Sequence, residues 1–382
     1  MKRKGFWMAL GFIGCFLLGI GLCFVVNQRP EQSEDQGSEK QEMSSGQVRR
    51  SESERGEEPP VTEIPKEIVQ TQDSLYTYEQ MVKDLEIMEL CFPGKIQVKE
   101  LGVTADGRSI KEAVLGDEKA ERHLMIQASI HGREYMNTQV AMRQLELFLR
   151  NYESGSYRNM TYEELLQGLC VHVIPMANPD GVTISQYGIE GIRDEECRQI
   201  LEQCREADGA DSRDSRDYWK NWKANARGVD LNRNFDVGWQ EFQGSLHPSS
   251  ERYKGDVPAS EAETQAILSI PERYPVVGCI AYHSSGSLVY WDYGSQGQVY
   301  LEDQKLAQTV SEITGYEAHS TVSDGTDAAG CSDYFVLKLG IAAVTVENGT
   351  GVCPLDSEEF PVIMERNEKL LPGYLWMYQS GR

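Results

Sequence analysis

The sequence predicts an α/β domain built on a mostly parallel sheet, and three apolar runs carry that expectation. Leu124–Ile130, Val276–Tyr282 and Ile341–Val346 are each short and apolar, with the length of a buried strand. Each is followed at once by a residue with chemistry to offer: His131, His283 and Glu347. Segments with helical periodicity separate the strand candidates, and strands alternating with helices point to βαβ units.

Taken in chain order, the first element is Met1-Lys2-Arg3-Lys4 followed by an uncharged apolar run from Phe6 to Val26. That run is long enough to cross a bilayer, and its basic flank should stay cytoplasmic, placing the rest outside. Residues 1–26 are therefore expected to be an uncleaved transmembrane anchor, with a cleaved signal peptide as the alternative. Neither Cys15 nor Cys23 ends the run, which argues against a lipoprotein. Residues 27–74 are polar and charge-rich and are expected to form a disordered acidic stalk, because they cannot bury enough apolar surface to fold. The folded domain is expected over 75–382.

Within that domain, Thr77 and Gln80 form a capping-box pattern ahead of Met81, Leu85 and Met88 on one helical face. Strands are expected over 97–101, 112–115, 124–130, 169–175, 276–282, 287–291 and 342–346. Helices are expected near 134–151, 192–206, 260–269, 299–314 and 358–379, the third opened by a second capping-box pattern at Ser260 and Glu263. The Arg/Asp-rich stretch 189–222 reads as a surface insertion, a solvated excursion in the first place and, as the alternative, an element that rims the entrance of a site.

Composition excludes some functions. The net charge of −23 argues against nucleic acid, whose phosphates require clustered Lys and Arg. Nine cysteines are scattered, two of them in the anchor, and no C-x-x-C occurs, so no cysteine-based structural zinc site is expected. Cys197 and Cys204 fall two turns apart on a helix, too far for an undistorted disulfide.

The chemistry begins at His131-Gly132-Arg133-Glu134, where a strand meets a helix. At that spacing an imidazole and a carboxylate can converge on one ion, and zinc accepts both. Alone the pattern is weak. His283 adds a third donor and Glu347 a base, and sites in open α/β sheets form beyond the carboxyl ends of the strands. Gly228-Val229-Asp230-Leu231-Asn232-Arg233-Asn234-Phe235 adds Asn232 and Arg233, which can donate to a substrate carboxylate, the arginine bidentately. His123, His172, His247 and His319 are read as ordinary core, sheet or loop histidines rather than ligands.

These stretches, with Asn178-Pro179-Asp180-Gly181, Ser260-Glu261-Ala262-Glu263-Thr264, Tyr282-His283-Ser284 and Thr345-Val346-Glu347, occur in an order that resembles the zinc metallocarboxypeptidase family over roughly 76–380. The resemblance implies one mixed eight-stranded sheet flanked by helices. It implies one zinc per chain on His131, Glu134 and His283, Glu347 as general base, and substrate binding by Arg133, Asn232 and Arg233. Where the family places an arginine after a tryptophan, Trp222-Lys223-Ala224-Asn225 offers Lys223, which would stabilise the oxyanion; this pattern is closer to bacterial branches acting on cell-wall peptides. No tyrosine aligns with the family's mobile one, and Tyr334 is read as a packing residue.

The expected protein is an extracytoplasmic, membrane-tethered zinc peptidase acting on a peptide or muropeptide, at the γ-D-glutamyl-diamino acid bond of peptidoglycan stems. The alternatives are a general carboxypeptidase and, in another class, a catalytically inactive module that binds a peptide terminus.

Overall fold

The computed structural model describes residues 64–70, 75–210, 215–324 and 330–380. The expected anchor lies outside the described residues, among which no helix is long and apolar enough to cross a membrane.

Eight strands form one sheet: β1 Ile96–Val103, β2 Ser109–Gly116, β3 Arg122–Ala128, β4 Leu169–Ile174, β5 Val276–His283, β6 Leu288–Trp291, β7 Glu317–Ser320 and β8 Ala342–Glu347. Their spatial order is β1-β2-β4-β3-β5-β8-β6-β7. The four central strands β4, β3, β5 and β8 run parallel. β1, β2 and β6 attach antiparallel, and β7 pairs parallel with β6 at the far edge. The parallel register sets Ala128 beside Tyr282 and His283 beside Glu347. Residues that end or follow β3, β5 and β8 therefore emerge together at one edge.

Helices cover both faces: α1 Tyr78–Cys91, α2 Met136–Arg150, α3 Pro179–Tyr187, α4 Glu195–Ala207, α5 Ala262–Arg273, α6 Gly297–Thr314, α7 Phe360–Asn367 and α8 Leu370–Ser380. Side chains alternate across a strand. Leu124 and Ile126 of β3 pack into the core beneath α1, α2, α6 and α8, whereas Met125 joins Ile174, Ile267 and Phe335 on the opposite face.

Several expectations need correction. Residues 64–70, read as the end of the stalk, lie against the domain: Ile68 and Val69 are buried, and their N–H groups donate to the Glu146 carboxylate at 2.8 and 3.0 Å. Two apolar residues in a polar stretch were enough once Glu146 supplied acceptors for their backbone. The stretch 189–222 is no simple surface excursion. Ile192, Cys197, Leu201, Cys204, Trp219 and Trp222 bury a small core of their own against Ile184. β7 escaped the sequence because Glu-Ala-His-Ser at a half-exposed edge shows no apolar alternation. α3 was missed although Asn178 caps the Gly181 N–H and Pro179 occupies the first turn. The last helix is two, α7 and α8. Ser260 is not the cap of α5, since Glu261 holds that position and Ser260 donates to its carboxylate at 2.7 Å. Thr77 does cap α1, accepting from the Gln80 N–H at 3.1 Å.

Candidate active site

β3 must end sharply for its next residues to turn toward β5. Ser129 adopts a positive φ of 54°, and its hydroxyl binds the Thr138 N–H at 3.1 Å and the Glu134 carbonyl at 3.2 Å. This ties the turn Gly132–Glu134 to the start of α2. Gly132 is required by close approach, because a Cβ there would stand 2.3 Å from the Gly181 carbonyl oxygen. The Gly132 N–H donates to the Lys223 carbonyl at 3.0 Å. The Asn178 amide spans the Ile130 and Ala224 carbonyls at 3.0 and 3.1 Å. The segment carrying Lys223 is thus stitched to the end of β3.

His131, Glu134 and His283 are buried, and their ligand atoms lie within 4.8 Å of one another. Both imidazoles turn Nδ1 to the Glu134 carboxylate, His131 at 2.8 Å and His283 at 3.0 Å. The Ser284 N–H donates to the same carboxylate at 3.2 Å. Asp230 Oδ1 stands 3.4 Å from His131 Nε2. A ring whose proton faces Asp230 turns an Nδ1 lone pair toward Glu134, and an anion cannot satisfy a lone pair. The Nδ1 atoms of both rings and the Glu134 carboxylate are a donor set for a zinc ion, and a carboxylate behind a ligating histidine, as Asp230 lies behind His131, fixes its tautomer. Burial opposes ionisation of Glu134, yet with a proton on each Nδ1 in the place of an ion the two imidazoles hold its carboxyl well below the usual range. His131 likewise keeps the buried Asp230 carboxyl below its ordinary value.

Glu347 ends β8 directly beside His283. Burial pushes its carboxyl up to about 7 against the pull of His283, and a divalent cation alongside would draw it down again. These groups open on a cavity of about 280 Å³, lined also by Lys223, Asn232, Arg233, Tyr290, Tyr293, Thr321, Asp333 and Thr345. No aliphatic side chain lines it among the described residues. A larger cleft of about 670 Å³ passes Tyr135, Tyr187, Lys220 and Leu355 but contains none of the candidate residues.

Seven of the eight residues singled out in the sequence therefore share one cavity. The exception is Arg133, which lines an adjoining groove with Asp217, Tyr218, Asn221 and Glu251 and reaches the Asn221 carbonyl at 3.4 Å. Arg233 donates to the Asn232 carbonyl at 2.8 Å and lies over the Phe242 ring, leaving its buried Nε without a partner. The Asn232 amide oxygen accepts the Cys331 N–H at 2.9 Å. Tyr334 packs beside Phe235, 5.9 Å between rings, as expected.

Three residues were missed. Asp230 lay inside a quoted motif without a role. Asp333, whose carboxyl burial pushes up to about 6 against the pull of Arg233, belongs to a segment without periodicity. Tyr293 hydrogen-bonds Thr345 Oγ1 at 2.9 Å from a loop. Only the Asp230 spacing, one residue before Leu231-Asn232-Arg233, could have signalled its partner.

The profile of the family described as zinc carboxypeptidase matches residues 81–350. The gamma-D-glutamyl-L-diamino acid endopeptidase 1 of Lysinibacillus sphaericus is 26% identical over 298 residues, covering 76% of this chain and 69% of that protein. Carboxypeptidase B of Astacus astacus is 25% identical over 272 residues, covering 68% and 80%. Among solved structures, bovine thrombin-activatable fibrinolysis inhibitor superposes with a TM-score of 0.64 at 16% identity, over 82% of this chain and 99% of that one. The carboxypeptidase A of Helicoverpa armigera gives 0.60 at 19% identity, over 81% and 75%. These two structural likenesses concern the fold alone.

Proposed function

Starting from the fact that the chain belongs to the zinc carboxypeptidase family and is a zinc metallopeptidase, we propose that it hydrolyses the γ-D-glutamyl-diamino acid bond of peptidoglycan stem peptides. The cavity carries the reading. It has no aliphatic lining among the described residues and holds Arg233 and Asp333 together. Such a pocket suits a leaving residue with both a carboxylate and an extra ammonium better than an apolar C-terminal side chain. The Lysinibacillus relative is named for activity on that bond.

Zinc held by His131, Glu134 and His283 supplies Lewis acidity toward the scissile carbonyl and acidifies water. Glu347 accepts the proton of the attacking water and passes it to the leaving amine. Lys223 faces the oxygen that becomes negative, where a fixed cation helps most. Arg233 and Asn232 hold the carboxylate of the leaving residue, and Asp333 meets its second amine. Arg133, in the adjoining groove, is left for the acyl side, where a γ-linked D-glutamate carries its α-carboxylate.

The apolar run at 6–26 and its basic flank support a membrane anchor with the catalytic domain outside the membrane. Fractionation with intact-mass analysis tests this. A soluble mature form starting near Asn27 would replace the anchor with a signal peptide.

The substrate reading is tested by mass spectrometry of digests of purified muropeptides and of a synthetic peptide library. Release of the diamino acid segment from stem peptides, with little trimming of ordinary C-termini, is the expected result. Efficient removal of apolar C-terminal residues would make the protein a general carboxypeptidase instead.

A further inference from the structure

A second group of ligand-type side chains sits at the opposite end of the same strands. Cys170 and His172 share one face of β4, and the parallel register places His123 of β3 beside Cys170. The ligand atoms of His123, Cys170 and His172 lie within 4.8 Å of one another, and all three residues are 0% exposed. Tyr274, just before β5, lies against both imidazoles at 4.9 and 4.7 Å between ring centres. Roughly 17 Å of strand separates His123 from Ala128 at the catalytic end.

The two rings are over-committed. His172 Nδ1 lies 2.6 Å from the Glu112 carboxylate, and His123 Nε2 lies 2.9 Å from the Ala120 carbonyl oxygen. A carboxylate and a carbonyl are acceptors, so each neutral ring spends its one proton outward. The remaining nitrogens, His123 Nδ1 and His172 Nε2, then face each other at 2.7 Å with two lone pairs in a sealed space. That contact requires a positive centre. An outward N–H on a carboxylate or backbone carbonyl is also how metal-bound histidines are usually held, and a thiol stands ready as a third donor.

We propose that His123, Cys170 and His172 form a buried structural site for one d10 cation, Zn²⁺ or Cu⁺, oriented by Glu112 and the Ala120 carbonyl. A site with two nitrogens and one sulfur suits ions of borderline to soft character. On binding, Cys170 gives up its thiol proton to solvent and forms the sulfur–metal bond, and no oxidation state changes. The ion would clamp β2, β3, β4 and the approach to β5 without touching the peptidase cavity.

The test uses the full chain, equilibrated separately with Zn²⁺ and with Cu⁺ under reducing conditions and then desalted. Elemental analysis should find two equivalents of metal in the wild type when zinc fills both sites, or one zinc and one copper when both ions are offered. The His131→Ala/His283→Ala double variant should retain one equivalent. Cobalt-exchanged wild type should show an intense sulfur-to-metal absorption, lost in Cys170→Ser or His172→Gln, while Cys170→Ser keeps its peptidase activity. If Cys170→Ser fails to fold, the wild-type stoichiometry and the double variant still decide. A single equivalent in the wild type with either ion, and no metal in the double variant, would mean that a shared proton bridges the rings and would overturn the proposal.

Discussion

The two ends of the central strands hold similar groups in opposite surroundings. At the carboxyl ends, two imidazoles and a carboxylate meet beside a cavity of about 280 Å³. At the amino ends of β3 and β4, two imidazoles and a thiol meet with no exposure at all. Both crowd lone pairs around one point. Only the first has room for water and a peptide, and open versus closed coordination is what separates catalytic from structural metal sites. Donor type marks where an ion can sit, whereas access decides what the ion can do.

The largest expected effect sharpens this contrast. His283→Ala should abolish peptidase activity and remove the active-site zinc, while His172→Gln should lower the melting temperature and leave kcat close to wild type. Elemental analysis, calorimetry and a peptide-release assay on both variants check it. A His172→Gln enzyme that is stable but inactive would break the separation of the two ends.

Next in size, Glu347→Gln should keep zinc and fold but lose about 10²–10⁴-fold in kcat, the usual range for a positioned acid–base group. Near-normal turnover would place the base elsewhere. Arg233→Ala should follow, with a loss of about 2–5 kcal/mol in transition-state binding for free-acid substrates. Amidated counterparts should change little. The measurement is kcat/KM for paired acid and amide peptides, and equal wild-type rates on both would remove Arg233 from carboxylate recognition.

The smallest effect concerns the support behind the open end. Asn225, two residues after Lys223, donates to the Glu261 carboxylate at 2.8 Å and lies 3.4 Å from that of Glu263. Burial, with Asp180 nearby, pushes the Glu263 carboxyl up to about 8. An acid raised above its unfolded value, about 4.3, binds more protons folded than unfolded between those two limits. Its contribution makes stability fall as pH rises through that window. Glu263→Gln should flatten the fall, by on the order of 1 kcal/mol or more between pH 5 and 8. Urea unfolding at the two pH values checks it, and an unchanged pH slope would show that Glu263 titrates normally.

The catalytic end was legible because each of its parts follows a local rule. An apolar run that stops at His131, His283 or Glu347 marks both the strand and the residue at its carboxyl end. The spacing of His131 and Glu134 sets two donors one turn apart. Seven strands of the sheet and the candidate zinc ligands could be read in this way, whereas the half-exposed edge strand β7 could not. The closed end was not legible, because His172 sits inside a strand pattern, where a histidine resembles any other core residue, and His123 precedes the apolar run of its strand, where it reads as an edge residue. Nothing local announces that β3 and β4 pair in parallel with His123 beside Cys170.

The sequence by itself determined the α/β class, the strand-end positions of the catalytic groups and the family, since periodicity and short motifs are local properties of a chain. Tertiary structure alone decided the rest. It separated Arg133 from the cavity, brought in Asp230, Tyr293 and Asp333, recruited Ile68 and Val69 to the domain, and sealed three metal-type side chains at the far end. Each of those depends on which strands lie side by side and on which surfaces close over them, and pairing at long range leaves no periodic mark in the residues that take part.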